Sequence, residues 1–396
     1  MDNIKILIVG AGIAGLSFAR TCELQGLKVS IIEKSDNASD TGAGICLPAN
    51  AMLAFKYLGL EQEILEAAHQ VSSIEYVRHN GKSLSSSSLK KKPFNKAPFV
   101  ALPRQELIKI LRNGLQSKIS FNSSIDQFEQ VDDRVKVLLN NNSRSKYYDL
   151  VVGADGITST LRNNIFESTG DEDLGITTWR FNINADTSKL QPTYYLGNDT
   201  ILMFYPISPT QVYVYAHIND PERKYTDLMP HDVLPEIFSN YCKKAKSLLA
   251  KISDDTIIYS SRLSTISELH FSQGRTVFIG DALHGCPPSL QQGVAMAVED
   301  AVILTNSLMK YSVPNAIDAF TLLREDRVKW VVSESNSIIQ RAVNGSSILG
   351  CIIRNSFIRL KGPANVVAWR ELLKNDPFAE LDLDLPNNGD NLKESA

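Results

Sequence analysis

The sequence predicts an α/β protein in which a core of buried parallel strands is interrupted by a mostly antiparallel β-sheet and completed by C-terminal helices. Residues 4–33 follow the order strand, glycine-rich turn, helix, strand, and a strand followed by a helix recurs from Thr276 onwards. Between about 175 and 265, segments instead alternate polar with apolar residues or are rich in aromatic residues, which is typical of antiparallel sheets. Beyond residue 310 the pattern is mainly helical.

The composition excludes several classes of function. The 396 residues are 43% hydrophobic and 21% charged, which is ordinary for a globular protein. The net charge of −3 gives no overall basic field of the kind that indicates nucleic acid or an anionic membrane. The five cysteines include no Cys-x-x-Cys and the six histidines no His-Glu-x-x-His, so we expect neither a disulfide framework nor a metal site.

The N-terminus runs directly into an apolar strand and lacks the features of a signal peptide. No apolar stretch reaches the ~20 residues needed to span a bilayer. We therefore expect a cytoplasmic protein. We further expect it to be a monomer or a homodimer.

Three segments carry local expectations. The apolar run at 338–358 is expected to pack against the core rather than bind membrane, and the serine- and lysine-rich stretch 85–92 is expected to form an exposed loop. Residues 51–68 are expected to be helical.

The first chemical motif is Gly-x-Gly-x-x-Gly at 10–15, directly after the apolar strand Ile6–Val9. Gly10 permits the tight turn, Gly12 lets the backbone approach a pyrophosphate, and Gly15 allows close contact between helix and strand. The helix N-terminus then offers free N–H groups to phosphates. Glu33, 18 residues after Gly15, ends the second strand, where a carboxylate binds adenosine ribose hydroxyls. The sequence therefore predicts a Rossmann-type dinucleotide-binding site.

Two further motifs distinguish between the possible dinucleotides. Gly-Ala-Asp-Gly begins at Gly153, after a buried strand, and continues to Arg162. Gly-Asp-Ala-Leu-His occupies 280–284, after another strand, and leads through Pro287-Pro288 to Gly293 and a helix expected to end at 299–301. A plain NAD-dependent dehydrogenase would explain Glu33 but neither of these motifs.

The three motifs, in this order and at these distances, closely resemble those of the class A flavoprotein monooxygenases, which share the para-hydroxybenzoate hydroxylase-like fold. The stretch Gly-Ala-Gly-Ile at 42–45 resembles the salicylate-hydroxylase-like branch, Arg104 stands where that family places a flavin-contacting arginine, and Trp179-Arg180 resembles a pair at the start of its substrate sheet. The resemblance covers roughly residues 4 to 345. It implies a Rossmann-type FAD-binding domain interrupted by a β-rich substrate domain that covers the flavin.

The resemblance also implies roles for individual residues. Asp281 would bind the ribitol chain of FAD, the helix from Gly293 would point its positive end at the flavin, and Asp155 and Gly156 would contact the pyrophosphate. Asp155 could equally cap a helix. The complete set of candidate cofactor-binding residues is Gly10, Gly12, Ile13, Ala14, Gly15, Glu33, Lys34, Gly44, Arg104, Asp155, Asp281, Pro288, Gly293 and Val294.

We divide the chain accordingly. The expected FAD-binding parts are residues 1–72, 101–170 and 271–310. The expected substrate domain is a β-hairpin contribution from 73–100 together with 171–270. A C-terminal helical region is expected at 311–382 and a flexible tail at 383–396.

The implied activity is that of an FAD-dependent monooxygenase. It would use NADH or NADPH and O₂ to hydroxylate, or epoxidise, an aromatic or polycyclic small molecule through a flavin C4a-hydroperoxide. The sequence identifies no catalytic residue. The alternatives are an FAD-binding oxidoreductase with different chemistry and a non-catalytic flavin-binding redox sensor; the Trp-x-Trp-x-Ile-Pro signature of flavin-dependent halogenases is absent.

Some residues leave alternatives open. Gln291 and Ala295 replace a glycine and an asparagine of the family pattern, and Leu283 replaces a small residue. Tyr213, Tyr215 and His217 share one face of a strand and could line a substrate cavity, although the outer face of a half-buried sheet is the favoured interpretation. For His284 we favour a structural role, and Arg162 could either hold a phosphate or stabilise local structure.

Overall fold

The computed structural model describes residues 4–36, 42–167, 170–344, 347–379 and 381; the expected tail at 383–396 lies outside these ranges. In chain order the strands are β1 Ile6–Val9, β2 Val29–Ile32, β3 Gly44–Leu47, β4 His69–Val71, β5 Ser73–Arg78, β6 Ser83–Ser88, β7 Phe99–Pro103, β8 Ile119–Ser120, β9 Ile125–Val131, β10 Arg134–Leu139, β11 Lys146–Tyr148, β12 Leu150–Gly153, β13 Asp171–Asn184, β14 Thr193–Leu196, β15 Thr200–Ser208, β16 Gln211–Asn219, β17 Tyr259–Ile266, β18 Ser272–Gln273 and β19 Thr276–Phe278.

The helices surround and connect these strands. They are α1 Ile13–Leu24, α2 Ala49–Tyr57, α3 Glu61–Ala67, α4 Arg104–Arg112, α5 Thr160–Phe166, α6 Pro230–Ile237, α7 Lys243–Leu249, α8 Asp281–His284, α9 Gly293–Lys310, α10 Val313–Asn344, α11 Ile348–Lys361 and α12 Ala364–Leu372. Short 3₁₀ turns occur at Phe94–Lys96 and Pro288–Leu290. Within the described ranges, none of the helices combines the length and the hydropathy that a membrane-spanning segment needs.

A six-stranded sheet in the order β18-β19-β12-β1-β2-β8 forms the centre of the fold. All its neighbours pair in parallel except β18 with β19. Strands β1 and β12 are fully buried, as their uninterrupted apolar sequence predicts. Helices α1 and α9 pack against each other beside this sheet. The carboxyl ends of β1, β12 and β19 meet at one edge, which brings the three sequence motifs together.

A seven-stranded sheet in the order β17-β13-β16-β15-β14-β5-β6 forms the second layer. Its pairs are antiparallel except β14 with β5. Side chains alternate between its two faces: Trp179 and Phe181 on β13 join an apolar cluster with α6 and α7, whereas Thr178 and Arg180 line a cavity on the opposite face. The predicted α/β fold, with its interrupting antiparallel sheet and C-terminal helices, is confirmed.

Four local expectations were wrong. Part of the expected loop at 85–92 belongs to β6, which pairs with β5. The helix expected at 51–68 is divided into α2 and α3 by a turn at Gly59, whose φ is +70°. Helix α9 continues past 301 to Lys310. The run 338–358 does not pack wholly on the core, because α11 leaves large apolar side chains exposed.

Candidate cofactor and substrate site

The glycine-rich turn between β1 and α1 is shaped by close backbone approach. Gly10 has φ +108°, and a Cβ there would collide with the carbonyl of Ala154 at the end of β12. A Cβ at Gly15 would collide with the carbonyl of Gly10. At Gly12, by contrast, a Cβ would have no heavy atom within 4 Å. The turn therefore leaves open space beside the N-terminus of α1, where a phosphate group fits.

Glu33 follows β2 and is fixed by hydrogen bonds. Its Oε2 accepts from the N–H of Ala11 at 2.8 Å, and its Oε1 accepts from the N–H and hydroxyl of Ser35 at 3.0 and 2.9 Å. Burial opposes ionisation, but these hydrogen bonds outweigh it and hold the pKa of Glu33 below its usual value. The side chain is therefore a carboxylate near neutral pH, with lone pairs left to accept ribose hydroxyls.

The first of two neighbouring cavities has a volume of about 930 Å³. Gly10, Gly12, Glu33, Lys34 and Asp155 all line it. Five of the predicted cofactor-binding residues are thus brought together here, at the adenosine end of a dinucleotide site.

Asp155 follows β12 and lies mostly buried in the wall of this cavity. Its Oδ2 accepts from the N–H of Leu161 at 3.3 Å, in agreement with a capping role. Its Oδ1 is buried and has no partner among the described atoms. Burial raises the pKa of Asp155 above its usual value, although hydrogen bonds from Ser159, Leu161 and Thr160 oppose the shift. An orphaned buried acceptor is unusual, and a bound ligand would satisfy it.

The second cavity is larger, about 1220 Å³, and adjoins the first. Gly12, Ala154 and Gly156 line both, so the two form one extended groove that passes the glycine-rich turn. Eight further predicted residues line the second cavity: Ile13, Ala14, Gly44, Arg104, Asp281, Pro288, Gly293 and Val294. Gly15 lines neither, and acts by letting α1 approach β1 closely.

The turn that carries Asp281 is held by a buried network beneath it. Gly280, with φ +59°, donates its N–H to Oδ2 of Asp300 at 2.9 Å. His284 Nε2 lies 2.7 Å from the same oxygen, and Arg324 donates to the other at 2.8 Å. Burial opposes ionisation of Asp300, but His284 and Arg324 hold its pKa below the usual value. The structural interpretation of His284 therefore agrees with its position.

The same network continues to Glu299, which is also fully buried. Arg324 and Arg327 donate to its carboxylate at 2.7 and 2.8 Å. Asn50 on α2 donates to both Glu299, at 3.2 Å, and Gln292, at 2.8 Å. The start of α9 is thereby fixed to α2 and α10. No local sequence pattern indicated the role of Arg324, since its partners lie 24 and 25 residues away on another helix.

Arg162 has a structural role. It is almost completely buried and donates to the carbonyls of Ala282 and Ile157, each at 2.8 Å. It joins the turn after β12 to α8, so it positions two motifs relative to each other. The phosphate-binding alternative has no support in this geometry.

Arg104 opens α4 next to β3. Its N–H donates to the carbonyl of Ala43 at 3.0 Å, and its side chain fills the space over Gly42. Burial lowers the pKa of Arg104, while the carboxylate of Asp281 opposes that shift. The guanidinium thus lies in the large cavity within the electrostatic influence of Asp281.

The roof of the large cavity is the inner face of the seven-stranded sheet. Tyr213, Tyr215 and His217 on β16 all line it, so the favoured outer-face interpretation was wrong. A Cβ at Gly44 would collide with the ring of Tyr213, which explains the glycine there. Strand alternation alone could not indicate which face is covered, because α6 and α7 cover one face and the core sheet the other.

Tyr215 and His217 form a hydrogen-bonded pair, with 3.1 Å between the tyrosine hydroxyl and Nδ1. Burial raises the pKa of Tyr215 well above its usual value, although Arg180 opposes this. Burial, assisted by Arg354, lowers the pKa of His217 to about 4. Near neutral pH the pair is therefore a neutral phenol and a neutral imidazole: the phenol donates when the ring proton lies on Nε2 and accepts when it lies on Nδ1.

A second aromatic group lies where the sheet meets the C-terminal helices. Tyr76 and Tyr194 stack with their ring centroids 4.4 Å apart, and Tyr76 donates to Asn365 at 2.8 Å. Gln291 donates to the hydroxyl of Tyr194 at 2.9 Å. Gln291 has φ +54°, in the left-handed region that favours glycine. The family's glycine at this position is thus explained by the backbone, and Gln291 gains a cavity contact.

Comparison with known proteins identifies the family. The chain matches the family described as FAD binding domain over residues 3–335. The chain belongs to the FAD binding domain family. It is 30% identical to 2-heptyl-3-hydroxy-4(1H)-quinolone synthase of Pseudomonas aeruginosa, over 90% of this chain and 94% of that protein. It is 26% identical to aurachin C monooxygenase/isomerase of Stigmatella aurantiaca, over 92% of this chain and 96% of that protein. The resemblance to class A FAD-dependent monooxygenases is thereby confirmed.

A solved member of this fold carries the cofactor. Klebsiella pneumoniae HpxO, complexed with FAD and uric acid, superposes with a TM-score of 0.84 at 21% identity, covering 94% of this chain and 97% of that one. In the present chain, the open space at Gly12, the ionised Glu33 and the orphaned Asp155 oxygen fit the extended, anionic cofactor of the FAD binding domain family. Among the described residues, no cluster of side chains could hold a metal ion.

Proposed function

We propose that this protein is an FAD-dependent monooxygenase that uses NADH or NADPH and O₂ to hydroxylate or epoxidise an aromatic or polycyclic small molecule. The observation that carries the proposal is the continuous groove past Gly12, which joins the cavity beside Glu33 to a larger cavity with an aromatic roof. The confirmed family and the names of the relatives support the reaction class.

The residues divide into two groups by what they would hold. Glu33, Lys34, Asp155 and Gly12 would bind the adenosine and pyrophosphate. Asp281 would bind the ribitol chain, and Arg104 and the N-terminus of α9 at Gly293 would lie beside the isoalloxazine. The helix N-terminus carries a partial positive charge that favours electron density on the ring. When bound, FAD supplies the redox chemistry, accepting electrons from the nicotinamide and activating O₂.

The charge of the large cavity indicates the class of substrate. Arg180 and Arg354 line it, Asp281 is the one carboxylate among its described lining residues, and Tyr213 and Tyr215 lie within the field of Arg180. A neutral His217 would offer an Nε2–H donor in the tautomer whose Nδ1 accepts from Tyr215. These groups would bind an oxygen atom that carries negative charge. We therefore infer a phenol or another acidic oxygen-bearing aromatic, which reacts more readily when ionised because its carbon atoms are then more electron-rich.

The buried walls would also exclude water. Tyr76, Tyr194 and Ile358 are among the side chains that line the cavity on the side of the C-terminal helices. A dry cavity protects reactive intermediates from hydrolysis and side reactions. The protein's own contribution is thus binding, orientation and exclusion of water, with no obligatory nucleophile.

The test is a screen of phenols and heteroaromatic compounds under ¹⁸O₂, with NADH and NADPH oxidation followed by absorbance and products by mass spectrometry. We expect at least one compound to accelerate oxidation of the nicotinamide and to gain one ¹⁸O atom. The Gly12→Ala variant, which should bind FAD more weakly, is the control and should show less of this activity at equal FAD concentration. Oxidation that no compound accelerates, or products without label, would contradict a monooxygenase.

A further inference from the structure

Helix α11 exposes a largely apolar face, which is unusual for a surface in contact with water. Leu349, Ile352 and Leu360 have 68%, 57% and 85% of their surface exposed, and Ile348 and Ile353 are similarly exposed. These positions recur at spacings of one, three and four along a 14-residue helix, so they share one side of it. Contiguous exposed apolar surface of this kind marks an interaction site.

The opposite face attaches the helix to the sheet. Cys351, Asn355 and Ile358 are buried, and Arg354 donates to the carbonyl of Gly197 at 2.7 Å. The helix packs against β6. The apolar side chains that face outward are therefore not the ones that hold α11 in place, and the fold itself does not account for them.

The charge of this segment identifies the partner. From Ser335 to Arg370 the sequence contains five arginine or lysine residues and no aspartate or glutamate, although the whole chain has a net charge of −3. Arg359 and Lys361 are exposed on α11 itself. Lys361 extends over the ring of Phe357, 5.3 Å from its centroid, as an amphipathic side chain does at an interface. An apolar face bordered by basic residues is the pattern of a helix that lies in the surface of an anionic bilayer.

We propose that α11 docks this protein on the surface of an anionic lipid bilayer, with Ile348, Leu349, Ile352, Ile353 and Leu360 entering the boundary between headgroups and acyl chains. Arg359 and Lys361 contribute by binding lipid phosphates. The same helix forms one wall of the large cavity through Ile353 and Phe357. The docking surface and the cavity wall are thus parts of one element that share Ile353, and docking would hold that wall against the lipid. This inference does not depend on the proposed reaction.

The experiment measures sedimentation of the FAD-loaded full chain with vesicles of phosphatidylcholine containing about 30% phosphatidylglycerol. We expect wild-type protein to bind, and the variant Leu349→Ser/Ile352→Ser/Leu360→Ser to bind at least about tenfold more weakly. The variant Arg359→Gln/Lys361→Gln should weaken binding to these vesicles but not residual binding to pure phosphatidylcholine. Leu322→Ser removes an equally exposed leucine from α10, at 79% exposure, and should bind as wild type does.

Unchanged circular dichroism and flavin absorbance in each variant will establish that the fold is retained. Failure of the wild type to sediment with anionic vesicles would overturn the proposal, as would equal binding by the triple serine variant. Light scattering tests the remaining possibility, in which a second copy of this chain, and not lipid, covers the exposed face of α11. A wild-type dimer that the serine substitutions convert to a monomer, without vesicle binding, would assign the face to a second copy of the chain instead.

Discussion

The hydroxyl of Tyr215 and the Nδ1 atom of His217 lie 3.1 Å apart in the roof of the large cavity. Each side chain is in its uncharged form because burial disfavours the charged one. The hydrogen bond therefore couples the position of the phenol proton to the tautomer of the histidine: when Tyr215 donates to Nδ1, the imidazole proton lies on Nε2 and can be donated to a substrate oxygen. Two predictions depend on this pair.

Replacing Tyr215 with phenylalanine should lower kcat/KM for the accepted aromatic substrate about tenfold, because His217 loses the hydrogen-bond partner that orients its ring in the cavity. The FAD content should not change, since Tyr215 lies on β16 in the cavity roof and is not among the candidate cofactor-binding residues. Tyr195→Phe is the matched control, because Tyr195 lies in the apolar cluster on the other face of the same sheet. Steady-state kinetics would contradict the assignment if both variants lost activity equally.

His217 should make the protein less stable in acid. Its pKa is about 4 in the folded state against an ordinary value of 6.5, so below pH 6.5 the unfolded chain binds more protons than the folded one. Stability is then lost as the pH falls from about 6.5 to about 4, by up to ~3 kcal/mol. In urea titrations, the difference in free energy of unfolding between wild type and His217→Gln should fall by that amount over this range. A difference that is independent of pH would contradict the burial of a neutral histidine.

The two glycines of the turn should fail in different ways. Gly12→Ala has room for its methyl group and an extended backbone at φ −78°, so the apoprotein should fold normally but bind FAD at least about tenfold more weakly, because the methyl occupies the phosphate space. Gly10→Ala should instead destabilise the fold itself, given its φ of +108° and the nearby carbonyl of Ala154. Thermal unfolding without FAD and fluorescence titration with FAD separate the two effects. Equal stability losses would be inconsistent with this geometry.

At Gln291, backbone strain and a side-chain contact oppose each other. Gln291→Gly relieves the left-handed conformation but loses the 2.9 Å bond to Tyr194, so the net stability change should stay within about 1 kcal/mol. Gln291→Ala loses the bond without relieving the backbone and should be about 1 kcal/mol less stable than the glycine variant. Chemical denaturation of the pair provides the measurement. An alanine variant as stable as the glycine variant would show that φ at this position is not strained.

The buried network around Arg324 should be essential for stability. Arg324→Gln leaves Glu299 and Asp300 without one of their cationic partners, and breaking a buried ion pair costs about 3–5 kcal/mol. The variant should also lose FAD affinity, because Asp300 holds the N–H of Gly280 next to Asp281. Lys329→Gln, which breaks an exposed pair with Glu325 on the same helix, should have no measurable effect. A similar outcome for both variants would argue against the network.

The sequence predicted the core of the fold because local signals and tertiary structure agree there. The apolar run Ile6–Val9, the glycine turn and the position of Glu33 all depend on short-range geometry that a linear pattern contains. The motifs at Asp155 and Asp281 were found in the same way, each at the carboxyl end of a buried strand. All candidate residues except Gly15 line the groove.

Features that depend on distant packing could not be predicted. Which face of β16 carries the cavity is decided by α6 and α7, which lie on the other side of the sheet, so Tyr213, Tyr215 and His217 were assigned to the wrong face. The partnership of Arg324 with Glu299 and Asp300 requires two helices to pack side by side. The exposed face of α11 has the same apolar spacing as a buried one, and periodicity alone does not distinguish them.

The most direct test of the central claim is the visible absorbance spectrum of the purified protein, with the chromophore identified after denaturation and NADH or NADPH titrated under nitrogen. The account predicts that FAD is released on denaturation and that the nicotinamide bleaches the flavin absorbance of the native protein. A colourless protein that does not take up added FAD, and that binds NAD instead, would contradict it.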